Sequence, residues 1–116
     1  MRHNQPWTPT QATECIRRYA NAEELSLTWS DHAKERLMER GLLEGDIRHV
    51  LECGFVTKNG EPTKTEKLFK YTMEGSTPNS ENRKIGVVVI PYKHGVTPGF
   101  RIVTVMWMDE PGTGGS

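Results

Sequence analysis

Long apolar runs are missing from this 116-residue sequence. No stretch approaches the ~20 consecutive apolar residues that a membrane-crossing helix needs, and mean hydropathy is −0.65. The start, Met1-Arg2-His3-Asn4-Gln5-Pro6-Trp7, has no hydrophobic region of signal-peptide type. The expectation is a cytoplasmic protein with no membrane partner. Cysteine is scarce: Cys15 and Cys53 are the only two. Without a secretion signal both are expected reduced and buried as small apolar residues. Gly-rich phosphate loops, Cys-x-x-Cys pairs and serine-nucleophile motifs are absent. A charge excess is absent too, since 15 basic residues meet 15 acidic ones, so the composition does not announce a nucleic-acid binder.

The distribution of charge is less even than its sum. Residues 1–54 carry 7 Lys/Arg against 9 Asp/Glu, whereas residues 55–108 carry 8 against 4. A nucleic-acid surface would therefore lie on the C-terminal half. Only 34% of residues are hydrophobic, but three Trp, three Tyr and three Phe are among them. That supports a modest core and argues against disorder. The length fits one domain.

Periodicity divides the chain into an arm over 1–9, an α+β domain over 10–108 and a disordered polar tail over 109–116. Trp7 is the arm residue expected to dock. Thr8-Pro9 or Thr10 starts a first helix reaching to about residue 25, with Ala12, Cys15, Ile16 and Tyr19 on one face. Residues 26–30 break the pattern. Thr28 or Ser30 caps a second helix over about 30–40, which Gly41 stops. Glu44 to Cys53 forms a third, and the short link predicts a helical hairpin. Strands then follow over 55–58, 64–74, 84–91 and 100–108. A turn is expected over 59–62, and loops over 75–82 and 92–99. The fold class expected is α+β, with three N-terminal helices before a four-stranded antiparallel sheet. The last two strands are apolar on both faces, so they should be central, with helices on one side and the first helix or a second subunit on the other.

The second helix carries the clearest chemistry. His32, Arg36 and Arg40 recur at i, i+4 and i+8, which puts them on one face, a turn apart. His32 sits in the first turn, where the helix dipole favours neutral imidazole, the form a general base needs. Guanidinium groups suit phosphate oxygens. A His beside two Arg is a kit for phosphodiester cleavage. The competing reading is a solvated face on which Glu35 and Glu39 pair with the arginines.

Other candidates are more scattered. His49 follows Asp46 by three, but no further ligand is spaced for a metal, so neither metal nor cofactor is expected. His3 falls in the arm and His94 in a glycine-bounded loop. Arg83, Lys93 and Arg101, with Tyr92, can grip phosphates and stack on bases. In a hairpin of the last two strands, Arg83 and Arg101 are expected near the same end, with Tyr92 and Lys93 at the other end of the connecting loop. Tyr71 belongs with Phe69 and Met73 in the core. Met106, Trp107 and Met108 read as core or as a homodimer surface.

The pattern Ser30-Asp31-His32-Ala33-x-x-Arg36-x-x-x-Arg40-Gly41-Leu42, followed by Asp46-Ile47-x-x-Val50-Leu51-x-x-Gly54, resembles the bacterial domain-of-unknown-function 4258 family. The closing strand Ile102-Val103-Thr104-Val105-Met106 is similar to that family's last strand. The resemblance spans about residues 28–108 and leaves the first helix outside. By analogy of layout it implies a RelE/barnase-like ribonuclease toxin. By the pattern match, His32, Arg36 and Arg40 would then be the catalytic positions; Arg83, Lys93 and Arg101 are RNA-binding candidates from their own residue types and places, not from the resemblance. The partners implied are RNA and an antitoxin or other protein. Two functions follow. One is a metal-independent endoribonuclease with His32 as acid/base. The other is a non-catalytic protein- or nucleic-acid-binding module.

Overall fold

A computed structural model describes residues 4–109 of the chain. Thr8 caps the first helix, α1 (Pro9–Ala20), by a reciprocal capping box with Gln11. A short strand, β1 (Ser26–Trp29), follows it. Helix α2 (Asp31–Glu39) then begins at Ser30, whose hydroxyl accepts the Ala33 amide at 2.9 Å. It ends at Gly41, which takes the left-handed φ of 65° that a helix stop favours. Helix α3 spans Glu44–Cys53. The remaining elements are β2 (Phe55–Val56), β3 (Glu61–Pro62), β4 (Phe69–Gly75), a 3-10 turn at Pro78–Ser80, β5 (Ile85–His94) and β6 (Thr97–Trp107).

The class is α+β with three helices, and the sheet differs from the expected four strands. It has six, in the order β1-β6-β5-β4-β2, with β3 also on β4. All pairings are antiparallel except β1 on β6. The helices are not all N-terminal, because β1 lies between α1 and α2. Four residues are too few to display a period, so this edge strand reads as a break. Residues 59–62 were expected to be a turn. Glu61 and Pro62 instead pair with Lys70 and Phe69, Pro62 being tolerated on an edge strand. The loop expected over 92–99 shrinks to Gly95-Val96, since Tyr92, Lys93 and His94 pair with Gly99, Pro98 and Thr97.

Alternation sorts the sheet into two faces. Tyr71, Met73, Ile85, Val87, Val89, Phe100, Ile102 and Val105 are buried on the inner face. Against them pack Ala12 and Ile16 of α1 and Ile47, Val50 and Leu51 of α3. Trp7 completes this core at 4% exposure; its N–H donates to the Tyr71 hydroxyl at 2.8 Å and its ring stacks on Tyr71 at 5.4 Å. Both α1 and α3 thus cover the same face. Among the described residues no helix covers the other face, which is half polar: Lys70, Thr72, Glu74, Arg101 and Thr104 alternate there with Val88, Ile90 and Met106. The expected helical hairpin is absent as well. Helix α2 runs along β6, while α3 packs on α1, β4 and β5. Cys15 is buried, but Cys53, the last residue of α3, is exposed; both are free thiols. Among the described residues no helix is long and apolar enough to cross a membrane.

Candidate functional site

His32 and Arg36 lie on α2, and Arg40 is its C-cap residue. The start of α2 is anchored by Ser30, whose amide donates to Ile102 O and whose hydroxyl donates to Val103 O at 2.9 Å. Its end is held by Trp107 Nε1, which donates to Arg40 O at 3.2 Å. Ala33 faces the core and His32 faces solvent. Arg36 Nη1 donates to Glu39 Oε1 at 2.6 Å, and Arg40 Nη1 lies 3.7 Å from the same oxygen. One carboxylate thus offsets both guanidinium groups. Arg40 Nε is buried without a hydrogen-bond partner among the described residues. The three residues do share a helix side, as their spacing required. They line none of the concave regions described below.

The open sheet face is concave. A groove of about 940 Å³ runs across β4, β5 and β6 under the segment 62–68. Lys64, Lys70 and Arg101 line it together with Thr28, Tyr92 and Ile90, and no carboxylate among the described residues does. Strand register builds it: Arg101 lies between Thr28 of β1 and Ile90 of β5. Tyr92 is opposite Gly99, and a Cβ at Gly99 would meet the Tyr92 ring at 2.5 Å. Only glycine lets the ring lie flat there. The Tyr92 and Ser26 hydroxyls then meet at 3.2 Å. Val103 is an extra residue in β6, since Val88 pairs with Thr104 and Val89 with Ile102. This bulge turns both Val103 and Thr104 toward the open side. Lys70 has one acidic neighbour, Glu61 Oε1 at 3.7 Å, in an exposed pair.

The expected strand cations are not brought together. Arg83 precedes β5 at the open end of the β5–β6 hairpin, beside the end of β6, whereas Arg101 lies mid-strand opposite Ile90, because β6 starts at Thr97 rather than at residue 100. Arg83 sits over the Trp107 ring at 4.0 Å and donates to both Asp109 oxygens, at 2.9 and 3.0 Å. Lys93 lies 5.7 Å from the Tyr19 ring centroid, on the α1 side. Of the three, only Arg101 lines the groove. Lys64 and Lys70 line the groove without having been singled out in the sequence, although the alternation of Lys70 and Thr72 against Tyr71 and Met73 already placed Lys70 outward. Of the tail, only Asp109 is among the described residues; His3 and residues 110–116 lie outside them.

Asp46, which the sequence places only beside His49 and in the family pattern, is a buried carboxylate. Asp46 accepts the Leu43 amide at 3.0 Å, the Thr77 hydroxyl at 2.9 Å and the Asn79 amide at 3.2 Å. Burial pushes its carboxyl up, but these donors outweigh that and hold it below the usual carboxylate range. It is a structural anchor joining the start of α3 to the 77–80 turn. Among the described residues no cluster of His, Cys, Asp or Glu is placed to hold a metal ion.

Residues 29–107 match the family described as a domain of unknown function, DUF4258. The chain belongs to this family. The match takes in α2, α3 and β2 to β6, and leaves α1 and nearly all of β1 outside the DUF4258 region. No curated protein matches the chain.

Proposed function

We propose that this DUF4258 protein is a nucleic-acid-binding module that holds single-stranded RNA in the groove on its open sheet face. One observation carries the reading: Lys64, Lys70 and Arg101 line one groove with Tyr92, and no carboxylate among the described residues lines it. Cations in such a groove bind successive phosphates, and an aromatic ring takes a base by stacking, worth about 1–3 kcal/mol per base. The Thr28, Thr63 and Thr65 side chains line the same groove and suit ribose hydroxyls. The endoribonuclease reading needs an acid/base beside the held phosphate. His32 does not line the groove, so binding is better supported than cleavage.

The test is a titration of labelled single-stranded RNA with the purified protein in EDTA. Saturable binding is expected, with the RNA left intact. The affinity should fall with salt at a logarithmic slope of about −2, from three cations at ~0.7 each. No binding at low salt would overturn the reading. Cleavage of the RNA would replace it with the endoribonuclease.

A further inference from the structure

A second recess lies across the sheet end from the groove, on the α1 side. Its volume is about 540 Å³, within the ordinary range of small-ligand sites. Arg18, Lys67 and Lys93 line it, together with the aromatic side chains Trp7, Tyr19 and Tyr92. No carboxylate lines it, and none pairs with these three cations among the described residues.

The walls are fixed before any ligand arrives. Gln5 bridges two strands, its Nε2 donating to Pro91 O at 3.1 Å and its Oε1 accepting the Phe69 amide at 2.9 Å. Trp7 is wedged between Tyr71 and Tyr19, whose ring it meets edge-on at 6.0 Å. Lys67 adopts a left-handed φ of 71°, uncommon for a residue with a side chain. Such conformations persist where the surroundings impose them, often at ligand clamps.

We propose that this recess binds a phosphomonoester carried on a nucleoside. A phosphomonoester bears nearly two negative charges at pH 7, which three cations with no carboxylate among them match. The exposed parts of Tyr19 and Tyr92 offer faces for a base. Asn4, Gln5, Trp7, Cys15, Arg18 and Tyr19 all precede residue 29, so most of the recess is built by chain that the family match does not include. The recess and the groove share Leu68 and Tyr92. The phosphomonoester has two sources: a free mononucleotide, or the phosphorylated end of a strand lying in the groove. Only the second rests on the RNA reading above.

Calorimetric titration with 5′-AMP, 3′-AMP and inorganic phosphate tests the site directly. At least one AMP isomer should bind ten times more tightly than phosphate. Arg18→Gln and Lys93→Gln should each weaken it about tenfold or more, with unchanged melting temperature because both side chains are exposed. AMP binding no tighter than phosphate, or binding that survives both substitutions, overturns the proposal. Short RNAs ending in phosphate or hydroxyl then identify the source. A preference for the phosphorylated end that Lys93→Gln removes assigns the recess to a strand end. Equal affinities, with AMP binding intact, assign it to the free mononucleotide. AMP binding in a protein that takes up no RNA supports the recess and counts only against the groove.

Discussion

Helix α2 carries Arg36 and Arg40 beside His32, and the open sheet face carries Lys64, Lys70 and Arg101 beside Tyr92. The residue types are nearly the same, yet the two regions differ in what they can hold. A helix surface is convex, so side chains one turn apart diverge. It also sets carboxylates three or four residues away, and Glu39 takes up both arginines. The sheet face is concave because the strands twist and segment 62–68 closes one side. Cations from residues 64, 70 and 101 therefore meet in space. Spacing along one helix gathers residues without aiming them, whereas register across a sheet aims residues that lie far apart in the chain.

Substitutions can break or sharpen this contrast, and the largest stability effect should come from outside both regions. Asp46→Asn takes the charge from a buried acceptor of three donors, and should cost about 1–3 kcal/mol in chemical denaturation. It should leave RNA affinity unchanged, which separates lost folding from lost binding. Its pH dependence has a definite sign. The folded-state carboxyl lies below its ordinary value, so its contribution is complete above the unfolded-chain value of about 4. That contribution is lost as pH falls through the lower folded value. The gap between wild type and Asp46→Asn should be full at pH 7 and should close in acid. A gap that widens below pH 4 would contradict this.

Gly99→Ala comes next, because the new methyl meets the Tyr92 ring. Overpacking of this kind costs about 1–3 kcal/mol, and the displaced ring should weaken RNA binding as well. A variant with a normal melting curve and normal RNA affinity would show that Tyr92 is not part of the groove. Ser30→Ala should cost about 1 kcal/mol through loss of the α2 cap. It should not alter RNA affinity, since α2 does not line the groove. The smallest effect belongs to Arg36→Ala. Its exposed pair with Glu39 is worth about 0.3–0.5 kcal/mol and should vanish in high salt.

Much of the architecture was legible in the sequence, and the misses have physical causes. Gly41 announced its stop, and Thr8 and Ser30 were each one of two caps the sequence offered, because helix starts are decided locally; the first helix, expected to reach about residue 25, ends at Ala20, where no glycine marks the stop. The inward series of Tyr71 and Met73 was legible from alternation, and the family from the spacing of α2 and α3. Strand β1 was not, since a parallel edge strand is defined by its partner, here 73 residues away. The extent of the β5–β6 hairpin was hidden by Pro91, Pro98 and Gly99, which read as loop but are accommodated in paired strands. The groove was hidden for the same reason as β1. Arg101 meets Lys64 and Lys70 only through the order β6-β5-β4, which no local pattern encodes. The α2 stripe was conspicuous because helical spacing is local. That visibility made it the first candidate without making it concave.

The contrast is tested most directly by one binding series under a single buffer. Affinity for single-stranded RNA would be measured for wild type, for the pair Lys70→Ala with Arg101→Ala, and for the pair His32→Ala with Arg36→Ala. The account predicts that the sheet pair loses about 100-fold, at about 1.4 kcal/mol per tenfold, and that the helix pair binds like wild type. Loss of binding in the helix pair with none in the sheet pair would contradict it.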